Sequence, residues 1–355
     1  MTNNFKEQML RKVSEGILSE EAYNALFAPS VDVILEDDLS NVQISIIIPT
    51  HNRFAMLCRC VDSVLFQTHK HIELLVVDDN SNDETSISFP TKYSNEPRIQ
   101  YFRNETSLGP GGARQKGYLN SHGEFIVFID DDDYYIEPRF FAIALSVFAE
   151  HPDCALVCGN TISEWNTPGK PHGYTYSPLN FSGWKSGEDY FIGFIRRFRK
   201  PSSSFPVVFQ RAALDKASFS EMKMMNDASI YLRALCYGNV YALNSIVGVY
   251  YIHSTNISKA LPLDFIIENL EEKKNIYGIA KERRIPNLDK WFRKQIFSTV
   301  IYFFSQSFIT DREKKSIYDW CVQNGFHFQF AIRRKLLMNR MIILVKRTIV
   351  KLNLK

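Results

Sequence analysis

Four aspartates in a row, Asp130-Asp131-Asp132-Asp133, follow directly on the apolar run FIVFI. Adjacent carboxylates repel one another, and a strand end is a costly place to gather them without compensation. A divalent cation meets that need, because Mg²⁺ and Mn²⁺ prefer oxygen ligands and leave room for phosphate oxygens. The alternative is a solvated acidic turn; placement after a buried strand favours the metal. Asp78-Asp79, after IELLVV, can accept hydrogen bonds from a nucleobase or a ribose hydroxyl. It can equally cap the next turn, and taken alone the capping reading comes first. Ser107–Arg114 (SLGPGGAR) is a glycine-rich turn entering a helix, where backbone N–H groups and Arg114 can neutralise a diphosphate. It has neither the GxGxxG spacing of dinucleotide sites nor the lysine-serine ending of a Walker loop.

These residues need elements to hold them. Gln43–Ile48 (QISIII), Ile72–Val77 (IELLVV), Ile99–Phe102 and Phe125–Ile129 read as short, mostly apolar strands. Helical spacing marks 53–67 and 111–121 between them. Strands apolar on both faces that alternate with helices predict an α/β fold, a mostly parallel sheet flanked by helices. In such sheets ligands lie beyond the carboxyl ends of the strands. Those ends carry Pro49-Thr50-His51-Asn52, Asp78-Asp79 and Asp130–Asp133.

Taken together the stretches resemble the family-2 inverting glycosyltransferases of the GT-A fold. The resemblance rests on SIIIPTHNR (45–53), SVLFQTHKHIELLVVDDNSND (63–83), NETSLGPGGARQKGYLNSHGEFIVFIDDDD (104–133), FSEMKMMNDASIYLRAL (219–235) and YYIHSTNIS (250–258). It implies a nucleotide-sugar donor, most often UDP-linked, a Mn²⁺ or Mg²⁺ ion, and a hydroxyl acceptor. Pro49, Thr50 and Asp79 would hold the base, with Asn52 in the same donor site. Arg114 lies where a basic side chain helps hold the donor. Asp131, Asp132 and Asp133 contain the DxD-type element, with Asp131 and Asp132 towards the donor and Asp132 and Asp133 on the metal. His253 matches a histidine that in some relatives approaches the metal or diphosphate; by itself it would be a structural histidine. Asp227 falls where the family has its catalytic base, usually in a Glu-Asp pair; here the first member is Asn226. Asp227 also suits the N-cap of a helix over 228–236.

The implied chemistry asks for this set. A departing nucleoside diphosphate gathers negative charge that cations stabilise, and a carboxylate on the opposite face must take the acceptor's hydroxyl proton. Two other enzymatic readings fit less well. A sugar-phosphate nucleotidyltransferase needs a glycine-rich basic loop after the first strand, where this chain has PTHNRFAML. An aspartyl phosphatase needs DxDGT. The non-enzymatic rival is a degenerate membrane-associated binding or scaffold subunit, which only Asn226 encourages.

The 355 residues divide into an N-terminal helical extension (1–41), the catalytic domain (42–262) and a helical C-terminal region (263–355). Ser19 would cap a helix over 20–27. Residues 163–187, rich in Gly, Pro, Ser and aromatics, read as a long loop in which Trp165, Tyr174 and Trp184 either stack on acceptor sugars or simply pack. Helices are expected over 264–284, 288–309 and 310–324, the last opened by a capping box at Thr310–Glu313. No acidic residue follows Asp319, so the last 36 residues carry +8 and the remainder −5. Aliphatic residues interleaved with that charge predict an amphipathic tail helix from about 330, suited to a membrane surface rather than to nucleic acid. No secretory leader or membrane-spanning run is evident. Six cysteines without CxxC spacing suggest buried thiols in a reducing compartment. The resulting expectation is a cytoplasmic enzyme, peripheral on the inner face of the membrane, that extends a glycan or lipid-linked acceptor of surface polysaccharide.

Overall fold

The β-branched run Ile44–Thr50 (β1) is buried along its whole length, and so is Ile72–Asp78 (β2). Branched side chains suit an enclosed, pleated surface, and strands buried on both faces require cover on both sides of their sheet. In the computed structural model, which describes residues 3–20, 23–24, 37–166, 168–169, 172–253, 262–306, 309–328, 331–332 and 334–335, that sheet has ten strands. The others are Ile99–Arg103 (β3), Phe125–Phe128 (β4), Tyr134–Tyr135 (β5), Cys154–Asn166 (β6), Gly173–Tyr176 (β7), Gly183–Lys185 (β8), Val207–Gln210 (β9) and Asn239–His253 (β10). Their order is β3-β2-β1-β4-β9-β6-β10-β5, with β7 on β6 and β8 on β10. Strands β3, β2, β1, β4, β6 and β10 share one direction, and β9 is inserted against it between β4 and β6. The sheet is therefore mostly parallel, as expected. Register shifts along β10 mark bulges that curl it.

Register positions the acidic run. Ile47 of β1 pairs with Phe128 of β4, so continuing three residues places Asp131 opposite Thr50. The Thr50 hydroxyl indeed donates to Asp131 at 2.7 Å. On the far side β10 runs antiparallel to β5, with Gly248 against Tyr135 and Val249 against Tyr134. That pairing carries Tyr251 and His253 to the aspartates. Gly248 has to lack a side chain, because a Cβ there would stand 2.4 Å from Phe205 and 2.6 Å from the Tyr134 carbonyl oxygen.

Glu73 ties the opposite end of the sheet together. Its buried carboxylate accepts from Ser45 Oγ at 2.6 Å, His122 N at 2.5 Å and Gly123 N at 3.1 Å. Gly123 approaches β1 so closely that a Cβ would lie 2.7 Å from the Gln43 carbonyl oxygen. Burial pushes the Glu73 carboxyl upward, but these hydrogen bonds outweigh it and hold the pKa below the ordinary value of 4.5. A depressed folded pKa gives stability that is present above the unfolded pKa and lost as pH falls through the folded one. Wild type is therefore expected to lose more stability than Glu73→Gln as pH drops from 4.5 through Glu73's own, lower pKa. Thermal melts of the two proteins between about pH 3 and pH 7 check this; parallel curves would remove Glu73 from the account.

Three expectations change. Residues 163–187 are not a single loop, since β6 runs on to Asn166 and β7 and β8 pair antiparallel with β6 and β10. Long-range pairing overrides a loop-like composition there. The glycine-rich stretch is itself the first turn of the helix Gly109–Leu119, with Pro110 where a missing N–H does no harm. Strands β6, β9 and β10 carry no assignment in the sequence reading at all. The expected helix over 20–27 lies outside the described residues apart from 20, 23 and 24. The amphipathic tail lies outside them apart from 331–332 and 334–335, and so does 254–258. All six cysteines are buried, and none of them forms a disulfide.

Contacts divide the chain into two compact units, Met1–Asn256 and Ile257–Lys355. Within the first, the helix Asn3–Ser14 and the turn after it pack on the paired strands β6 and β10. Met9 and Leu18 are buried with Ile162, Ile246 and Val249. Lys12 donates to the Tyr174 hydroxyl, and Tyr174 N donates to the Ile17 carbonyl at 3.1 Å. Glu164 then accepts from Tyr174 and from Tyr134, the residue after the acidic run, at 2.9 and 2.8 Å. The second unit holds helices Leu263–Glu282, Leu288–Phe304 and Asp311–Gln323. The capping box forms: Thr310 Oγ1 accepts from Glu313 N at 3.2 Å, and Glu313 accepts from Thr310 N at 2.8 Å. Phe303 and Phe304 pack into the core of this unit with Ile266, Leu270, Ile317 and Trp320. No helix among the described residues is long and apolar enough to cross a membrane.

Candidate active site

The carboxyl ends of β1, β2 and β4, the start of the helix Gly109–Leu119 and the last residues of β10 meet in one place. Asp131 accepts from Thr50 and from Arg53 Nη1 at 2.9 Å, and the same Arg53 nitrogen lies 2.9 Å from Asp132 Oδ2. His253 Nε2 is 2.9 Å from that oxygen too. Asp133 Oδ1 accepts from Tyr251 N at 3.0 Å. Asp130 pairs with Arg114, which also donates to the Met225 carbonyl at 2.7 Å. Asp131, Asp132, Asp133, Arg114 and His253 are all buried, whereas the Asp130 side chain is 34% exposed. Asp130, absent from the expected donor and metal residues, is thus the most open of the four.

Electrostatics here are unbalanced. Burial pushes Asp131 up to about 7, with Arg53 pulling the other way. Burial, reinforced by neighbouring carboxylates, raises Asp132 and lifts Asp133 well above the ordinary aspartate range. Several buried atoms have no hydrogen-bond partner, among them the acceptor Asp133 Oδ2 and the donors Arg114 Nε, Arg59 Nε and Ser203 Oγ. An enclosed oxygen-rich set with an unanswered carboxylate oxygen fits a hard divalent cation, and an unanswered guanidinium N–H fits an anion. Among the described residues no three His, Cys, Asp or Glu side chains make a ready-made metal cage. A cation held here would take its remaining ligands from phosphate oxygens and water, as Mg²⁺ and Mn²⁺ commonly do.

The other expected donor residues are engaged in shaping the pocket. The Asp79 carboxylate accepts from Asn104 Nδ2, Leu108 N and Gly109 N, each at 2.8 Å, and from Ser107 Oγ at 2.6 Å. These bonds tie the glycine-rich turn to β2 and hold the Asp79 pKa below its ordinary value against the effect of burial. Asn52, in the left-handed region at φ 55°, accepts from Asn82 N at 2.7 Å and clasps the turn after β2. Pro49 and Thr50 end β1, with Thr50 opposite Asp78.

Asp227 opens the helix Asp227–Leu235 but does not cap it. Asn226 is the cap, its side chain accepting from Ser229 N at 3.0 Å. Asn226, where the resemblance implies Glu, is therefore accounted for locally, and the Asp227 carboxylate is not used in the cap. It is 26% exposed, lies 4.0 Å from Lys200 Nζ, and joins Asp130 in holding the Arg114 cation against the cost of burial. Asp227 thus belongs to the same charge cluster as the acidic run. Trp184 does not: it pairs with Tyr241 at the opposite end of β10 from His253, twelve residues away, on the order of 40 Å along a strand. Trp165 lies on β6 beside β7, its Nε1 donating to Thr175 Oγ1 at 2.9 Å.

Sequence reasoning overlooked Arg53 and Lys200. Arg53 stands at the end of PTHNR, on the same strand end as the assigned residues, and that position was the available signal. Lys200 had none, because only the folded chain brings it to Asp227.

Residues 45–222 match the model of the family described as Glycosyl transferase family 2. Asp227 and His253 fall beyond that match. Over 212 residues the chain is 28% identical to the Campylobacter jejuni GalNAc(5)-diNAcBac-PP-undecaprenol beta-1,3-glucosyltransferase, covering 59% of this chain and 62% of that one. Over 93 residues it is 39% identical to the Escherichia coli UDP-Glc:alpha-D-GlcNAc-diphosphoundecaprenol beta-1,3-glucosyltransferase WfgD, covering 26% and 36%. The chain therefore spans less than two-thirds of either relative. In fold it is similar to Staphylococcus aureus TarS 1-349 in complex with UDP-GlcNAc, with TM-score 0.54, 15% identity, and coverage of 81% and 93%. The complex of the same protein with UDP gives 0.51 at 20% identity, covering 67% of this chain and 65% of that one.

Proposed function

The chain belongs to glycosyl transferase family 2, and from that premise we propose that it transfers a sugar from a UDP-linked donor to a hydroxyl, with inversion. The observation that carries the reading is the pairing of opposites in one buried cluster: Asp133 Oδ2 without a donor and Arg114 Nε without an acceptor. A metal diphosphate would answer both.

In this reading Pro49, Thr50 and the turn organised by Asp79 and Asn52 form the wall against which the nucleotide lies. Asp132 and Asp133, with His253, would hold Mn²⁺ or Mg²⁺, which when bound stabilises negative charge on the departing diphosphate. Arg114, fixed by Asp130 and the Met225 carbonyl, offers its free N–H to the same charge. Arg53 and Thr50 keep Asp131 in place. Asp227, partly exposed at the first turn of its helix, takes the proton from the acceptor hydroxyl as that oxygen attacks the sugar. Inversion follows from a single displacement, with base and leaving group on opposite faces.

The acceptor we propose is a lipid-linked glycan carried on a diphosphate, in surface polysaccharide assembly; both relatives bear names with diphosphate-linked undecaprenol acceptors. The basic tail would then rest on the anionic cytoplasmic membrane surface.

Calorimetric titration with UDP and with GDP, each with Mn²⁺ and with EDTA, tests the site. UDP is expected to bind in Mn²⁺ and to weaken by more than about tenfold in EDTA, with GDP weaker throughout. Folded protein that binds neither nucleotide would return the chain to the scaffold reading.

A further inference from the structure

The segment Ile195–Lys200 (IRRFRK) carries four cations in six residues, the densest positive stretch among those described. It is also held in an unfavourable shape. Ile195 has φ 65° and is 57% exposed, a conformation and a setting that a branched apolar side chain avoids. Its surroundings impose this. Arg196 N, Arg197 N and Phe198 N all donate to the Gly193 carbonyl, at 3.0, 2.8 and 3.1 Å. Asn180 clasps the segment from outside, donating to the Arg197 carbonyl at 2.7 Å and accepting from Arg199 N at 2.8 Å. Strain that persists under such support is a reason to look for function.

The cations are not equivalent. Arg197 pairs with Asp189, and Arg199 donates to the Pro178 carbonyl at 2.9 Å. Lys200 points towards Asp227, 4.0 Å away. Arg196 is exposed, and among the described residues its side chain makes no hydrogen bond or ion pair. Asp227 therefore stands where two fields meet, Arg114 with the acidic run on one hand and this basic loop on the other.

We propose that the loop Ile195–Lys200 is the phosphate subsite for the acceptor. It would bind the diphosphate of a lipid-linked acceptor beside the base that activates its sugar, with Ile195 against the first carbons of the lipid. The proposal rests on the reading of Asp227 as that base, and supplies what that reading lacks, a place for the acceptor's charge. A preformed cationic loop suits such a ligand, because its ordering cost is already met in the fold.

The test uses full-length protein saturated with UDP and Mn²⁺, titrated with farnesyl diphosphate below its micelle concentration and with farnesol as the phosphate-free control. Wild type is expected to prefer the diphosphate by at least about tenfold, and Arg196→Glu to lose about tenfold in its affinity. Ile195→Asp should weaken the diphosphate as well. Both substitutions lie at exposed positions, so melting temperature and UDP affinity should hold. Unchanged farnesyl diphosphate affinity in Arg196→Glu overturns the proposal, as does wild type that ignores the diphosphate. Co-sedimentation with phosphatidylglycerol vesicles separates the sources. If Arg196→Glu loses vesicle binding but keeps farnesyl diphosphate, the loop reads membrane headgroups and the proposal is wrong. Failure of wild type to bind UDP would strike the transferase reading instead, and titration with farnesyl diphosphate alone still reports on the loop.

Discussion

Asp227→Asn is expected to lower sugar transfer about a thousandfold while leaving UDP affinity within about twofold. The substitution is nearly isosteric, and it does not remove a helix cap, because Asn226 performs that task. Arg114 keeps Asp130 as its ion-pair partner, so the donor side should survive. What disappears is the one carboxylate between Glu221 and Asp264, partly open to solvent and positioned next to Lys200. Steady-state transfer from a UDP-sugar, together with UDP titration of the same preparation, separates the two effects. A variant that transfers at the wild-type rate would place the base elsewhere, and one that loses UDP as well would make Asp227 a donor-side residue.

The second large effect should divide stability from function. Asp133 is fully buried, its carboxyl is driven far above the ordinary range by desolvation and by Asp132 and Asp130, and Oδ2 has no partner. An unanswered buried acid of this kind destabilises the metal-free protein. Asp133→Asn keeps the acceptor for Tyr251 N and removes the charge. In EDTA it is expected to melt at or above the wild-type temperature, while Mn²⁺ no longer strengthens UDP binding. The wild-type enhancement, on the order of tenfold to a hundredfold, should fall to about one. A variant that melts well below wild type in EDTA would show that the carboxylate is satisfied without a cation. Retained Mn²⁺ dependence would move the metal to Asp130 and Asp132, the former being the most exposed of the four.

What could be read from the chain, and what could not, follows from distance along it. Strands β1, β2 and β4 announce themselves because each is a continuous apolar run that ends abruptly in polar residues. Parallel pairing in register then brings Thr50, Asp78 and Asp131 together without further information. Strand β6 finds β10 across 85 residues, and neither has a local signature that fixes the partner. The aromatics of 163–187 looked like one functional loop; pairing sends Trp184 to the far end of β10 and Tyr174 to the N-terminal helix. Asp79 reads as a ligand group from its strand-end position, yet its four acceptor bonds show how much of its role is to fold the glycine-rich turn. Arg53 illustrates the reverse. A residue that looks like the start of a helix turns out to bridge two buried aspartates.

The cover that residues 9–18 give to the paired strands β6 and β10 bears on how this chain can be cut down. The family match begins at residue 45, so a minimal fragment chosen by homology would start there. Such a fragment would bare Ile162, Ile246 and Val249, which Met9 and Leu18 now cover, and would offer an apolar strip prone to association. It would also take Lys12 from Tyr174 and slacken the Tyr174–Glu164–Tyr134 relay that ends one residue from Asp133. The homology boundary and the folding boundary are different places in this chain, and the second lies nearer the N-terminus.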